Sequence, residues 1–431
     1  MHKFFNLFLF LLIFFNVSHL HPFVVINDLS PDEIWTKTEF VLSGHVGYSG
    51  YINVNQTMDA NLFYIFWESL DQNPDAPVLL WLQGGPGCSS LWGLFKENGP
   101  LLIQSDGSLL TNPWTWNNNY AILYIDNPVG AGFSYSTNPK GYVTSESQMS
   151  QDLYTGLKVF FAKYTKYSAN DFYVFGESYA GKYVPAIAYR IHEDGNKLNM
   201  KGFGIGDGLS DPSLQTNYFA DYSYSTGLLD EQERIDIKLL EADLLLQIEN
   251  QEWDNCLDNF EKITNEISEL SGGINKYDIR LYQPYDSKPI TNFLNLQSVK
   301  DTFGANADWE FCAKETRNGL KIDFCQSVKP LVDVLIQSGY QALFYSGQFD
   351  LIVNYMGSSN FIEQINWSGK QNWLESDRIV WKNNDEVVGY VKNYQNLYHI
   401  LINKAGHMSP MNQPQNTLDM VSRFINNKPF S

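Results

Sequence analysis

The chain has 431 residues, 44% of them apolar and 15% aromatic, which supplies a large core, and α/β enzymes of this length run as one core with insertions. Its 48 acidic against 29 basic residues leave a net charge of −19, which excludes binding to a phosphate backbone, and no nucleic-acid partner is expected. The same acidity suits work at low pH, where many carboxylates are neutralised. In chain order, Lys3 precedes an apolar run at 4–17 that is too short for a membrane span, so residues 1–21 read as a secretory signal. No later stretch approaches ~18 unbroken apolar residues, so no membrane association is expected once the signal is removed. Asn55-Gln56-Thr57 and Asn366-Trp367-Ser368 are sequons usable in a secretory lumen.

Strand-like runs follow at 61–69, 78–83 and 121–127, then apolar residues at helical spacing over 145–164. Next comes the run Asp171-Phe-Tyr-Val-Phe, the string GESYAG at 176–181, and a helical pattern beyond it. Strands alternating with helices predict a mostly parallel sheet covered on both faces. Residues 228–270 predict an acidic helical insertion: Asp230 and Glu233 mark a helix start, and Ile235, Leu239, Ala242 and Leu246 recur at helical spacing. Strands return at 341–347 and 396–406. The division expected is core at 22–212, a mainly helical cap at 213–307, and core again at 308–431. KGFGIGDG at 201–208 does not satisfy G-x-G-x-x-G and no P-loop occurs, so no nucleotide cofactor is expected. Cys88, Cys256, Cys312 and Cys325 form no C-x-x-C and no His lies at ligand spacing from them, which disfavours zinc; an oxidising compartment would give two disulfides from three pairings.

GESYAG carries the chemistry. A serine on a sharp strand-to-helix turn is lifted out of a sheet edge as a nucleophile, although Ala180 stands where the usual second glycine would be. Such a serine needs a base beyond a later strand and an acid to fix the tautomer of that base, in the order Ser, Asp, His. His407 follows the last strand, Asp350 ends SGQFD after the strand before it, and His399 falls inside a strand, where packing is the simpler role. Ser178, Asp350 and His407 thus come in the required order. Gly84-Gly85-Pro86-Gly87, directly after a core strand, offers a backbone N–H for an oxyanion, with that of Tyr179 as the first donor.

WLQGGPGCSSLWGLFKENGP (81–100), IDNPVG (125–130), GESYAGKYVPAIA (176–188), GDGLSDP (206–212), YSGQFDLIVN (345–354) and AGHMSPMNQP (405–414) resemble the serine carboxypeptidase family, closest to its vitellogenic-like branch, over nearly the whole mature chain. The resemblance implies an α/β-hydrolase fold with a helical cap, no cofactor, and removal of single residues from peptide and protein C-termini at acidic pH through an acyl-enzyme, in a secreted or lysosome-like setting. It makes Ser178 the nucleophile, Asp350 and His407 its partners, and Gly85 and Tyr179 the oxyanion donors. Gln83, Gly84, Glu97 and Glu177 fall where the family holds the substrate carboxylate, with Gln83 in place of the usual Asn. It also implies the pairs Cys88–Cys312 and Cys256–Cys325. An acyltransferase or esterase on the same scaffold and a non-catalytic binding module are the competing expectations; keeping Glu97 and Glu177 together favours peptides.

Overall fold

Phe172 and Val174 of one strand pack on one face of a sheet with Leu153, Leu157 and Ile187, while Tyr173 and Phe175 of the same strand pack on the other with Met420, Val421 and Phe424. A strand buried on both faces must be apolar throughout, which is why the central segments read as unbroken hydrophobic runs. A computed structural model describes residues 34–430, so the expected signal at 1–21 lies outside the described residues. The strands are β1 Thr38–Leu42, β2 His45–Asn55, β3 Ala60–Trp67, β4 Val78–Leu82, β5 Leu101–Ile103, β6 Leu109–Thr111, β7 Ala121–Ile125, β8 Tyr135–Ser136, β9 Phe172–Glu177, β10 Met200–Gly206, β11 Gln341–Gly347, β12 Arg378–Asn383, β13 Glu386–Tyr394 and β14 Leu397–Ile402. The main sheet runs β1-β2-β3-β7-β4-β9-β10-β11-β14-β13-β12, with β8 pairing β3 and with β5–β6 as a separate hairpin.

From β7 to β14 the neighbours are all parallel, so the loops after β4, β9, β10, β11 and β14 leave one common edge. Antiparallel strands extend both sides. Helix α1, Glu146–Lys163, and helix α2, Ala180–Glu193, pack against each other over the first face. The C-terminal helix Pro414–Ile425 covers the second. This is an α/β-hydrolase architecture.

Between β10 and β11 the chain is helical, including Glu231–Glu249, which opens on the Asp230–Glu233 capping box, and Cys256–Leu270. The buried stripe of Glu231–Glu249 is Ile237, Glu241 and Leu244, and the expected one faces solvent, with Leu239 63% exposed. Both stripes share the helical period, so spacing alone does not choose between them. Packing does: Glu241 accepts the Ala220 N–H at 2.8 Å and pairs with Lys238 at 2.8 Å, so a charged residue anchors the inner face.

Disulfides join Cys88 to Cys312 and Cys256 to Cys325. The second ties the inserted helices to the segment before β11 across 69 residues. Replacing Cys256 and Cys325 together with Ser is expected to lower unfolding stability by about 2–4 kcal/mol, measured by urea titration, because the unfolded chain regains the closed loop's entropy.

Candidate active site

The turn from β9 into α2 bends at Ser178, whose φ of 64° is left-handed, a conformation that a side-chain-bearing residue adopts only when its surroundings hold it. Those surroundings are backbone bonds: Ser178 N–H donates to Gly206 O at 3.0 Å, and its C=O accepts from Gly181 and Leu209 at 2.8 and 3.0 Å. A Cβ on Gly176 would lie 2.7 Å from the Ala180 Cβ and 2.9 Å from Leu82 O. The turn therefore needs glycine at 176 but accommodates alanine at 180. Behind it, the Tyr179 ring stacks on Phe324, and the buried Lys182 ammonium pairs with Asp323 at 2.7 Å. Glu146 is buried beside them, and loss of hydration pushes its carboxyl up to about 8 against the opposing Lys182 charge.

The loop after β4 presses on this turn from in front. A Cβ on Gly84 would collide with Tyr179 N and come within 2.8 Å of the Ser178 Cβ. Gly85 has φ 116°, which glycine alone adopts without strain. The N–H groups of Gly85 and Tyr179 donate to no acceptor among the described residues. One belongs to the residue after the serine and the other to the residue after Gly84, which packs on the serine turn; an oxyanion requires such a pair of free donors.

Asp350 follows β11 and His407 follows β14, both buried. His407 Nδ1 lies 2.8 Å from Asp350 Oδ2, and His407 Nε2 has no hydrogen-bond partner among the described residues. An imidazole fixed at one nitrogen and free at the other can take a proton from a hydroxyl. The inserted segment 275–281 fastens both loops: Leu351 and Ile352 N–H donate to Lys276 O, His407 N–H to Tyr277 O at 2.7 Å, and the Tyr277 ring lies 5.2 Å from the imidazole. His399 sits in β14 beside Trp373; desolvation, then Lys392 and Arg378, push it down to about 4, and it joins no such arrangement.

Glu97 and Glu177 form a second buried cluster, bridged by the side-chain amide of Gln83. Gln83 Nε2 donates to Glu177 Oε1 at 2.8 Å and reaches Glu97 Oε1 at 3.4 Å, while its Oε1 accepts from Trp81. Burial raises both acids, and the charge of Glu97 raises Glu177 further. Two buried carboxyls facing one amide favour keeping one proton, because the fully ionised pair is repulsive. Gln83 spans both acids despite its extra methylene.

One residue at this edge was not anticipated from the sequence: Asp207, just past β10, buried and with φ 46°. Ligand-capable atoms of Asp207, Asp350 and His407 lie within 4.8 Å of one another. N–H and O–H donors already occupy both carboxyls, which suits proton sharing better than a cation. An open groove of about 440 Å³ at the 383–386 turn and the 413–416 segment contains none of these residues.

The parallel sheet, the strained serine turn and the buried acid and imidazole on later loops define an α/β-hydrolase. The family model for serine carboxypeptidases matches residues 42–427, and the chain belongs to that family. It is 37% identical to serine carboxypeptidase-like 49 of Arabidopsis thaliana, over 89% of this chain and 77% of that one. Identity is also 37% to a probable serine carboxypeptidase, CPVL, of Rattus norvegicus, over 88% of this chain and 82% of that one. The fold is similar to that of Kex1(Δ)p, a prohormone-processing carboxypeptidase of Saccharomyces cerevisiae, with a TM-score of 0.82 at 24% identity, covering 93% of this chain and 97% of the other. The protein is a serine-type carboxypeptidase, a hydrolase whose substrates are peptides with free C-termini.

Proposed function

We propose that this enzyme removes single residues from peptide and protein C-termini in an acidic secretory compartment, lysosomal or vacuolar if it is not secreted, with Ser178 as nucleophile, His407 as base and Asp350 as the acid that orients it. The observation that carries this assignment is the 2.8 Å His407–Asp350 contact with Nε2 left free, on loops at the sheet edge where Ser178 is strained. His407 takes the Ser178 proton as Oγ attacks the scissile carbonyl, Gly85 and Tyr179 N–H groups receive the oxyanion, and the departing amine leaves an acyl-enzyme that water hydrolyses. Glu97, Glu177, Gln83 and the Gly84 backbone hold the substrate carboxylate, because a carboxyl pair that keeps a proton can donate to a third carboxylate. The cap over this site comprises residues 213–307. The disulfides Cys88–Cys312 and Cys256–Cys325 and the exposed sequon residues Asn55 and Asn366 support an oxidising lumen. Among the described residues no helix is long and apolar enough to cross a membrane.

Incubation with a mixed peptide set at pH ~5, followed by mass spectrometry, should show stepwise loss of single C-terminal residues. Internal cleavage, or turnover of esters alone, would rule the proposal out.

A further inference from the structure

Asp207 stands where two buried carboxyls meet. Its Oδ1 accepts the Gly347 N–H at 2.6 Å, its Oδ2 accepts the Ser409 hydroxyl at 2.9 Å, and a carboxyl oxygen of it lies within 4.8 Å of one of Asp350. The second oxygen of Asp350 is the one that meets His407, while Oδ1 accepts the Val353 N–H at 3.2 Å. Two carboxyls this close in a dry site repel each other when both are ionised, and a proton kept on one of them removes that repulsion. Among the described residues the groups facing this pair supply no fixed cation. Glu177 approaches from β9, Tyr345 from β11, Tyr222 from the helix Phe219–Ser225, and Tyr277 and His407 from the loops over Asp350. No lysine or arginine pairs with Asp207 or Asp350 among the described residues. Asp207 also holds a positive φ at the end of a strand beside the serine turn, so backbone strain is stored to place this carboxyl there.

We propose that Asp207 is a positioning residue of the catalytic machinery: it carries a proton that it donates to Asp350, holding that carboxylate as the acceptor for His407 Nδ1–H. The inference rests on the assignment of Ser178, Asp350 and His407 and adds a fourth residue behind it. The proton is kept throughout turnover. When His407 becomes imidazolium, Asp350 stays ionised and Asp207 stays neutral, so the charge is spread over a carboxyl pair without transfer. Burial and the Asp350 charge raise Asp207 well above the ordinary carboxyl range, so this proton is present at acidic and neutral pH and is lost as pH rises through that raised value. Its loss puts two anions side by side, displaces Asp350 and lowers kcat.

The test uses a blocked peptide ester, which has no free carboxylate and so does not engage Glu97 and Glu177. Its kcat and KM are followed against pH for the wild type, Asp207→Asn, Asp207→Ala and Ser409→Ala, with a fluorophosphonate probe counting folded sites. An amide at 207 still accepts from Gly347 and donates to Asp350 but cannot ionise. Asp207→Asn should lose only about threefold in kcat at pH ~5 and should lack the wild-type alkaline decline. Asp207→Ala should lose roughly 10²-fold in kcat with KM little changed, as for a misplaced catalytic group. Ser409→Ala removes a donor that favours the ionised form, so its alkaline limb should move to higher pH; this decides the matter if the 207 variants fail to fold. A wild-type alkaline limb retained in Asp207→Asn, full activity in Asp207→Ala, or an unmoved limb in Ser409→Ala would overturn the proposal. A Ser178→Ala variant that keeps ester activity would instead overturn the underlying assignment.

Discussion

Ser178→Ala is expected to lower kcat by roughly 10⁶-fold and to abolish labelling by a fluorophosphonate, with KM for peptides nearly unchanged. The hydroxyl is the atom that becomes bonded to the acyl group, so nothing substitutes for it in the covalent step. What survives is the rate given by the free Gly85 and Tyr179 N–H groups and by substrate positioning alone. His407→Ala should fall by a similar factor. The double variant should be no worse than either single one, because a nucleophile without its base and a base without its nucleophile are equally idle. The variant should fold normally: Ser178 is fixed by its backbone bonds to Gly206, Gly181 and Leu209, and alanine keeps them. Retention of activity within about 10²-fold in a sample cleared of wild-type enzyme would mean that another group attacks the carbonyl.

The residues proposed for catalysis were legible because each obeys a local rule. Ser178 and Asp350 follow strands buried on both faces, His407 follows the apolar run of β14, and β11 spans the same residues, 341–347, as its sequence pattern. The Gly84–Gly85 turn was legible for the same reason, since it follows β4. Asp207 obeys no such rule. In GIGDGLSDP it reads as a turn residue between glycines, and its burial depends on Gly347 and Ser409, which lie 140 and 202 positions away in the chain. Long-range hydrogen bonds leave no periodicity. The inner face of Glu231–Glu249 was misjudged on related grounds, because its anchor Glu241 is a charge that pattern reading assigns to solvent. The edge strands β1 and β12, and β13 beside β12, expose much of one face, so their apolar signal is diluted.

The proposed carboxylate site predicts that kcat/KM for peptides falls about tenfold per pH unit on its alkaline side, or about 10³ over three units, while that for a peptide ester falls less and later. Glu97 and Glu177 are both fully buried and both raised, first by loss of hydration, and among the described residues the one side-chain amide bonded to their carboxyls is that of Gln83. One proton between them leaves a single negative charge, and a bound peptide terminus adds a second. Three negative charges would meet if that proton left, with no lysine or arginine paired to either acid among the described residues. Binding of the terminus therefore requires the proton, and raised pKa values mean it is present at acidic pH and lost as pH rises. The loss should appear mainly in KM, because the chemical step at Ser178 does not use the pair. An ester lacks the terminal carboxylate and meets no such repulsion, so what remains of its decline falls to Asp207. Identical alkaline limbs for peptide and ester would place the titrating group at the reacting carbonyl and remove Glu97 and Glu177 from recognition of chain ends.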